Sequence, residues 1–260
     1  MSLLKKLLLT LVLKQARKNR ALPQSFAGFV FDYISIKSVI YGRFEDAELD
    51  YLERYVFPRL PARRNALDVG ANIGVHALSF SGHFEHVHAF EPHPLTYEIL
   101  SFNSRLARNV STYRKGASSE PFVAKAISVP GNIGAAHIVA ESGDGANSFE
   151  FACDRLDAIL PDDVRSSVDF MKADVEGHEL KALQGAEDIL ARSSPLIAFE
   201  LLRSEDPAQA TALINFLKER GYVNFYEIRR SLFGTRRLAA ISRFRNRNHK
   251  MVLASKKPLH

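Results

Sequence analysis

Residues 66–91 read ALDVGANIGVHALSFSGHFEHVHAFE, and the rest of the chain is organised around them. The apolar run Ala66-Leu67-Asp68-Val69 ends in Gly70-Ala71-Asn72-Ile73-Gly74. A helix-like segment follows, and a second apolar run, Val87-His88-Ala89-Phe90, ends at Glu91. Strand, glycine turn, helix, strand and acid form the opening of a nucleotide-binding α/β unit. Gly70 turns the chain sharply with no Cβ in the way. Gly74 starts the helix close to the turn, where unpaired amides face a ligand. Glu91 falls at the tip of the second strand, about 20 residues on, where a carboxylate takes two ribose hydroxyls.

The spacing narrows the ligand. A dinucleotide site uses G-x-G-x-x-G, because its backbone touches a pyrophosphate. Here the pattern is Asp-x-Gly-x-x-x-Gly, with Asn72 and Ile73 inside the gap. Asp68 puts a negative charge beside the turn, a poor neighbour for phosphate. It suits a ligand with a ribose and positive charge but no phosphate, and S-adenosylmethionine, with its ammonium and sulfonium, fits. An ordinary strand-turn-helix would need Asp68, both glycines and Glu91 to coincide by accident.

A chain of 260 residues, 46% apolar, holds one large α/β domain. The single cysteine, Cys153, excludes a disulfide framework and a cysteine-based zinc site, and a reducing compartment follows. The net charge of +6 hides a division. All 29 acidic residues lie between Asp32 and Glu227, whereas residues 1–20 carry six Lys and Arg and residues 228–260 carry ten. An acidic body thus has two basic ends, which attract anionic lipid, acidic glycans or nucleic acid.

Leu7 to Leu13 is mostly Leu and Val, but Lys5, Lys6 and Lys14 bracket it. The run is far short of the ~20 residues that span a bilayer. No small-residue cleavage site follows. The expectation is an N-terminal helix that packs on the body or touches an anionic membrane surface, in a protein that is cytoplasmic or peripheral to the membrane.

The organisation expected is an N-terminal helical region over 1–60, leading into a larger catalytic domain over 61–260. Residues 22–44 read as short strands through Phe29, Phe31, Tyr33, Ile34, Ile36, Val39 and Ile40, and Glu45 to Phe57 as a helix closed by Pro58. Pro94 opens a helix, and Asn109 to Lys115 is a strand ending in Gly116-Ala117-Ser118-Ser119. Small residues there leave room for a flat adenine. Residues 121–152, rich in Gly, Ala and Ser, interrupt the alternation as a lid or hairpin insertion. Val168–Ala173, Leu196–Leu201, Tyr222–Ile228 and Met251–Ala254 read as strands. Glu179–Ala191 and Pro207–Arg220 read as helices, with a basic connection over 229–250. Alternating strands and helices imply a mostly parallel sheet covered on both faces, and the last two strands, with no helix between them, pair antiparallel.

The second chemical stretch is Met171-Lys-Ala-Asp-Val-Glu-Gly-His-Glu-Leu, from a strand tip into a helix. In an open α/β sheet this tip faces the same crevice as Gly70 and Glu91. Methyl transfer to oxygen needs a group that takes the hydroxyl proton, and Asp174 and His178 are the candidates. Lys172 tunes a neighbouring carboxylate or holds an anionic substrate, and Glu176 and Glu200 position substrate hydroxyls. The same carboxylates can hold a divalent cation, so metal dependence stays open. Glu176 and Glu179 alone would also suit a helix N-terminus. His83, His86, His88 and His93 lack a metal-site spacing and read as ordinary histidines.

These residues resemble the FkbM family of S-adenosylmethionine-dependent methyltransferases, over roughly Tyr41 to Lys257. The markers are Leu67-Asp-Val-Gly-Ala-Asn-Ile-Gly, Ala89-Phe-Glu-Pro-His-Pro, Arg155-Leu-Asp and Phe170-Met-Lys-Ala-Asp-Val-Glu-Gly-His-Glu-Leu-Lys-Ala-Leu-Gln-Gly-Ala. The last is the most specific. The resemblance implies a Rossmann-like class I methyltransferase: a seven-stranded, mostly parallel sheet with an antiparallel C-terminal strand and helices on both faces. It implies O-methylation of a glycan or small natural product. It places Asp68, Gly70, Asn72 and Gly74 around the methionine part, Glu91 on the ribose, Ala117 and Ser118 near adenine, and Lys172, Asp174 and Glu176 along the acceptor site. An RNA methyltransferase using the basic termini is an alternative, but nucleic acid is disfavoured because Arg229–Lys250 offers only Phe233 and Phe244 for stacking. A non-catalytic nucleotide- or membrane-binding module is a third reading. The glycine spacing speaks against a dehydrogenase.

Overall fold

The computed structural model describes residues 32–129, 132–139, 148–201, 207–230, 236–244 and 248–259, with Lys5, Leu7, Thr10, Leu11, Lys14, Pro23 and 25–30. Most of the expected N-terminal helix, the tip of the 121–152 insertion and parts of the 229–250 connection lie outside the described residues.

The main sheet is built from β1 (Asn65–Val69), β2 (His86–Phe90), β3 (Val110–Tyr113), β8 (Val168–Ala173), β9 (Leu196–Leu201), β10 (Asn224–Arg230), β11 (Arg236–Ala240) and β12 (His249–Ser255). Its order is β11-β10-β12-β9-β8-β1-β2-β3. The five strands β3, β2, β1, β8 and β9 are parallel, and β12 pairs antiparallel to both β9 and β10. Seven strands stand in the expected arrangement. The eighth, β11, comes from the basic connection and pairs antiparallel to β10. Its sequence, RRLAA, carries little strand signal, but Leu238 stands opposite Ile228 and packs with it against the core. β1, β8 and β9 are short apolar runs buried almost throughout, as strands covered on both faces must be.

The core has two layers, one on each face of the sheet. One joins Leu67, Met171, Ile197 and Val252 to Leu183, Ile189, Leu190, Leu213 and Leu217 of the helices Glu179–Gln184, Glu187–Arg192 and Pro207–Glu219. The other centres on Phe57, whose ring meets Phe80, Phe84 and Phe170 edge-on at centroid distances of 5.0–5.8 Å. The single helix expected over Glu179–Ala191 is divided at Gly185, where the backbone carbonyl of Ser118 would lie 2.0 Å from any Cβ.

The sequence from 22 to 44 corrects the expectation of short strands, because Tyr33–Tyr41 is a helix. Its β-branched and aromatic residues favour a strand, but its ends are fixed by capping. Asp32 accepts hydrogen bonds from the Ser35 amide and hydroxyl, and Gly42, at φ 96°, closes the C-terminus on the Ser38 carbonyl. The chain continues through Asp46–Tyr51, a π-helical turn Leu52–Val56 and the turn Phe57–Arg59.

The insertion is a second sheet, ordered β4 (Gly116–Ala117), β7 (Ser148–Asp154), β5 (Phe122–Val129) and β6 (Asn132–Val139), in which β5 runs antiparallel to both β6 and β7. Among the described residues no helix is long and apolar enough to cross a membrane.

Candidate active site

The glycine turn and the second chemical stretch are packed against each other. Gly70 adopts φ 82°, and a Cβ there would lie 1.8 Å from the Asp174 carbonyl oxygen. The Asp174 amide donates to the Val69 carbonyl, so β1 and the tip of β8 are tied at this point. Asn72, at φ 49°, donates its amide to Glu91 Oε2 at 2.9 Å, and the His93 amide donates to Glu91 Oε1 at 2.9 Å. Both oxygens of the acid at the tip of β2 are thereby fixed. Burial raises Glu91 to about 7, against the lowering effect of those two amides.

Lys172 and Asp68 are cross-strand partners in the β1–β8 ladder. Both are buried, with Lys172 Nζ 3.7 Å from Asp68 Oδ1 and 2.9 Å from Asp174 Oδ2. Burial alone would lower the Lys172 ammonium, but Asp174, Asp68 and Glu45 outweigh it and hold it above its usual range. Asp174 shows the converse. Burial raises it, but the adjacent ammonium, helped by His76 and a hydrogen bond to Glu200, leaves it lowered and ionised. Glu200 sits one step past the register pairs Lys172–Ala198 and Ala173–Phe199, across from Asp174. Burial, then repulsion from Asp174, Glu176, Glu45 and Glu179, pushes it up to about 8. The pair therefore rests with its proton on Glu200 and its charge on Asp174.

These groups line one cavity of about 1040 Å³, large for a single ligand and ample for a cofactor with an acceptor. Gly70, Asn72 and Glu91 meet it on one side, Lys172, Asp174, Glu176, His178 and Glu200 on another, and Ala117 forms part of its floor. Asp68, Gly74 and Ser118 stand behind the wall. Asp68 lies under Lys172, Gly74 faces Leu100, and Ser118 is buried with its Oγ 3.1 Å from His178 Nε2. His178 is lowered by burial and by Lys181, and its ring meets Phe122 of the insertion, away from the Lys172–Glu200 cluster. Glu179 holds the turn: its Oε1 accepts from the Val175 and Gly177 amides. The insertion lends Phe122, Phe149 and Phe151 to the cavity, as expected of an element at this edge of the sheet.

Several cavity residues escape a reading of the sequence. His76, in the first turn of the helix Val75–Ser81, has Nε2 3.1 Å from Glu45 Oε2. Glu45 is held in the left-handed region at φ 52°. Among the described residues, three of the four non-glycine residues with positive φ, Glu45, Asn72 and Glu176, line this cavity, and such backbone strain collects at functional sites. The helix Tyr33–Tyr41 and the turn after it contribute Tyr33, Lys37, Tyr41, Arg43 and Phe44. His76 was visible as a polar residue two positions past Gly74, but its partner lies 31 residues earlier in the chain.

Three further histidines are satisfied structurally. His88 bonds Tyr113 and Asn65, His86 bonds Ser111, and His93 caps the helix Pro94–Ser104. Burial, with His86, lowers His88 to about 4. The Arg155-Leu-Asp marker is structural too, since Asp157 accepts from the amides of Asp188 and Ile189 at the start of a helix. Among the described residues no three His, Cys, Asp or Glu side chains converge as metal ligands.

Parallel strands whose tips carry a glycine turn closing on a buried acid and, beside it, a charged pair form the crevice of an open α/β sheet. Residues 68–223 match the Methyltransferase FkbM domain, and the chain belongs to that family. It is 32% identical over 152 residues to the hexuronic acid methyltransferase AglP of Haloferax volcanii, covering 58% of this chain and 61% of that protein. Methyltransferase sdnD of Sordaria araneosa is 27% identical over 167 residues, covering 52% of this chain and 64% of that one. The chain thus spans less than two thirds of either relative's length. A crystal structure of methyltransferase FkbM from Methylobacillus flagellatus KT aligns with a TM-score of 0.49 at 16% identity, covering 94% of this chain and 58% of that one.

Proposed function

We propose that the protein transfers a methyl group from S-adenosylmethionine to a hydroxyl of a sugar or small natural product. The observation that carries this reading is the Lys172–Asp174–Glu200 cluster, which faces the same cavity as the Gly70–Gly74 turn and Glu91.

The residues present fit the cofactor. Both oxygens of Asp68 are buried without a hydrogen-bond partner among the described residues, and beyond the Lys172 ammonium 3.7 Å away the carboxyl beneath the turn is left for a cationic ligand. Seven acids line the cavity against Lys37, Arg43, Lys172 and Lys250, a balance that favours a cationic ligand over a phosphorylated one. Gly70 and Asn72 would border its methionine part, Glu91 its ribose and Ala117 its adenine. S-adenosylmethionine, when bound, supplies an electrophilic methyl group on a sulfonium.

Asp174 accepts a hydrogen bond from the acceptor hydroxyl, orients its oxygen and takes up its proton. Lys172 keeps Asp174 ionised, so the base is available at neutral pH. Glu200 already carries a proton and holds Asp174 in place rather than competing for the hydroxyl proton. Tyr33, Tyr41, Phe44 and Phe149 offer flat apolar faces to the carbon side of a sugar ring. The named sugar substrate of one relative supports this class of acceptor. On this reading residues 1–60 are an entry region whose Tyr33, Tyr41, Phe44 and Glu48 form an acceptor-side wall, residues 61–260 are the methyltransferase domain, and Phe122, Phe149 and Phe151 of the insertion cover the acceptor.

The test is transfer of radiolabelled methyl to a panel containing methyl glucuronide and methyl glucoside. Asp174→Asn should lower turnover by a factor of about 100 or more, the usual scale of a lost general base, while cofactor affinity is retained. Undiminished turnover in that variant would remove Asp174 from the mechanism.

A further inference from the structure

The helix Tyr33–Tyr41 is inside out. Its buried positions are serines, Ser35 at 7% and Ser38 at 6% exposure, whereas Tyr33 (53%), Ile36 (41%), Val39 (56%) and Tyr41 (54%) face solvent. The serines are engaged inward: Ser35 Oγ accepts from the Phe29 amide, and Ser38 Oγ donates to the Ile34 carbonyl. The outward apolar face spans well over a third of the helix circumference and holds one cation, Lys37, with Nζ 5.4 Å and 5.0 Å from the Tyr33 and Tyr41 ring centres. Apolar side chains with a cation among aromatic rings are the composition of a helix lying in a membrane interface. Tyr33, Lys37 and Tyr41 also line the cavity, so this face adjoins its mouth.

A second feature stands beside it. In the β10–β11 hairpin, Arg229 lies opposite Arg237 and Arg230 opposite Arg236. Like charges directly opposed across strands are destabilising, and one arginine of each pair is met by an acid. Arg229 has Glu227 and Arg236 has Glu48, while Arg230 and Arg237 are exposed with no acid partner among the described residues. β10 runs parallel to β9, and Glu227 is level with Val252 and Phe199. β9 ends at Leu201, two residues past Phe199, so Arg230 stands one residue, about 3 Å, beyond the end of that strand. The hairpin is tied to the helix Asp46–Tyr51, which follows Tyr33–Tyr41 in the chain and borders the same cavity. Arg236 Nη1 donates to Glu48, a cavity residue, at 2.6 Å, and the Leu238 amide donates to the Tyr51 hydroxyl at 2.8 Å.

We infer that the rim formed by the exposed face of Tyr33–Tyr41 and the arginine hairpin docks on an anionic lipid bilayer. The sequence ahead of this helix, residues 1–20, carries six Lys and Arg and no acid. The surface is independent of the methyl-transfer reading, since it needs neither cofactor nor turnover.

Sedimentation of the full chain with vesicles tests the inference. Vesicles of phosphatidylglycerol and phosphatidylcholine in equal parts should bind it, and vesicles of phosphatidylcholine alone should not. Ile36→Asp with Val39→Asp, and separately Arg230→Glu with Arg237→Glu, should each weaken binding at least about tenfold, with unchanged melting temperature and with residues 1–20 intact. Hydrogen exchange of the unaltered chain on the anionic vesicles should show added protection at Tyr33–Tyr41 and Arg229–Arg237, which covers the case of a variant that does not fold. Absence of vesicle binding, binding that neither variant weakens, or no added protection at these segments would overturn the inference. So would a dimer dissolved by the aspartate pair, which would assign the face to a second copy. A preference for duplex RNA over vesicles, lost with the arginine reversals, would overturn it as well.

Discussion

Glu200 makes the electrostatics of the cavity measurable without any substrate. Its carboxyl stands at about 8 rather than 4.5, first through burial and then through Asp174, Glu176, Glu45 and Glu179. A raised acid binds its proton more tightly in the folded chain than in the unfolded one. Between 4.5 and about 8 the unfolded state therefore carries fewer protons, and stability falls as pH rises through that window. Taken at face value the loss is about 5 kcal/mol. Glu200 is only partly buried, and solvent screening reduces this to about 2 kcal/mol. Glu200→Gln removes the titration while keeping a group that can donate to Asp174. Urea denaturation of both proteins at pH 4.5 and pH 9 isolates the effect. The two should be nearly equal in stability at the lower pH, with the variant ahead by about 2 kcal/mol at the higher. A difference that stays constant across the range would refute the assignment of the shared proton to Glu200.

Two other perturbations test the frame around the site. Gly70→Ala combines a left-handed φ with a Cβ 1.8 Å from the Asp174 carbonyl oxygen, and should cost about 3 kcal/mol or more by thermal denaturation. Tyr222 is fully buried and its hydroxyl has no hydrogen-bond partner among the described residues, so Tyr222→Phe should leave stability unchanged or raise it by about 1 kcal/mol in the same assay.

The central architecture is legible in the sequence because local signals and burial agree there. Ala66–Val69 and Val168–Ala173 are apolar runs of strand length ending in glycine or acid, and they become adjacent parallel strands. Crevice residues at their tips follow from topology alone, which is why Gly70, Asn72, Glu91, Lys172, Asp174, Glu176 and His178 are found around one cavity. The parts that escape are set by contacts between distant residues. Tyr33–Tyr41 has the composition of a strand, and only the Asp32 cap and the inward use of its serines make it a helix. His76 depends on Glu45, and β11 on the packing of Leu238 beside Ile228. Asp174 and His178 look equivalent as bases in sequence. In the folded chain Asp174 joins Lys172 and Glu200, whereas His178 pairs with Ser118 and Phe122.

The most direct measurement of the account is calorimetric titration of the unaltered protein and Glu91→Ala with S-adenosylmethionine and with NAD. The account predicts saturable heat with S-adenosylmethionine alone and an affinity about tenfold or more weaker in the variant, the scale of lost hydrogen bonds to a carboxylate. Comparable binding of NAD, or S-adenosylmethionine affinity indifferent to Glu91, would contradict it.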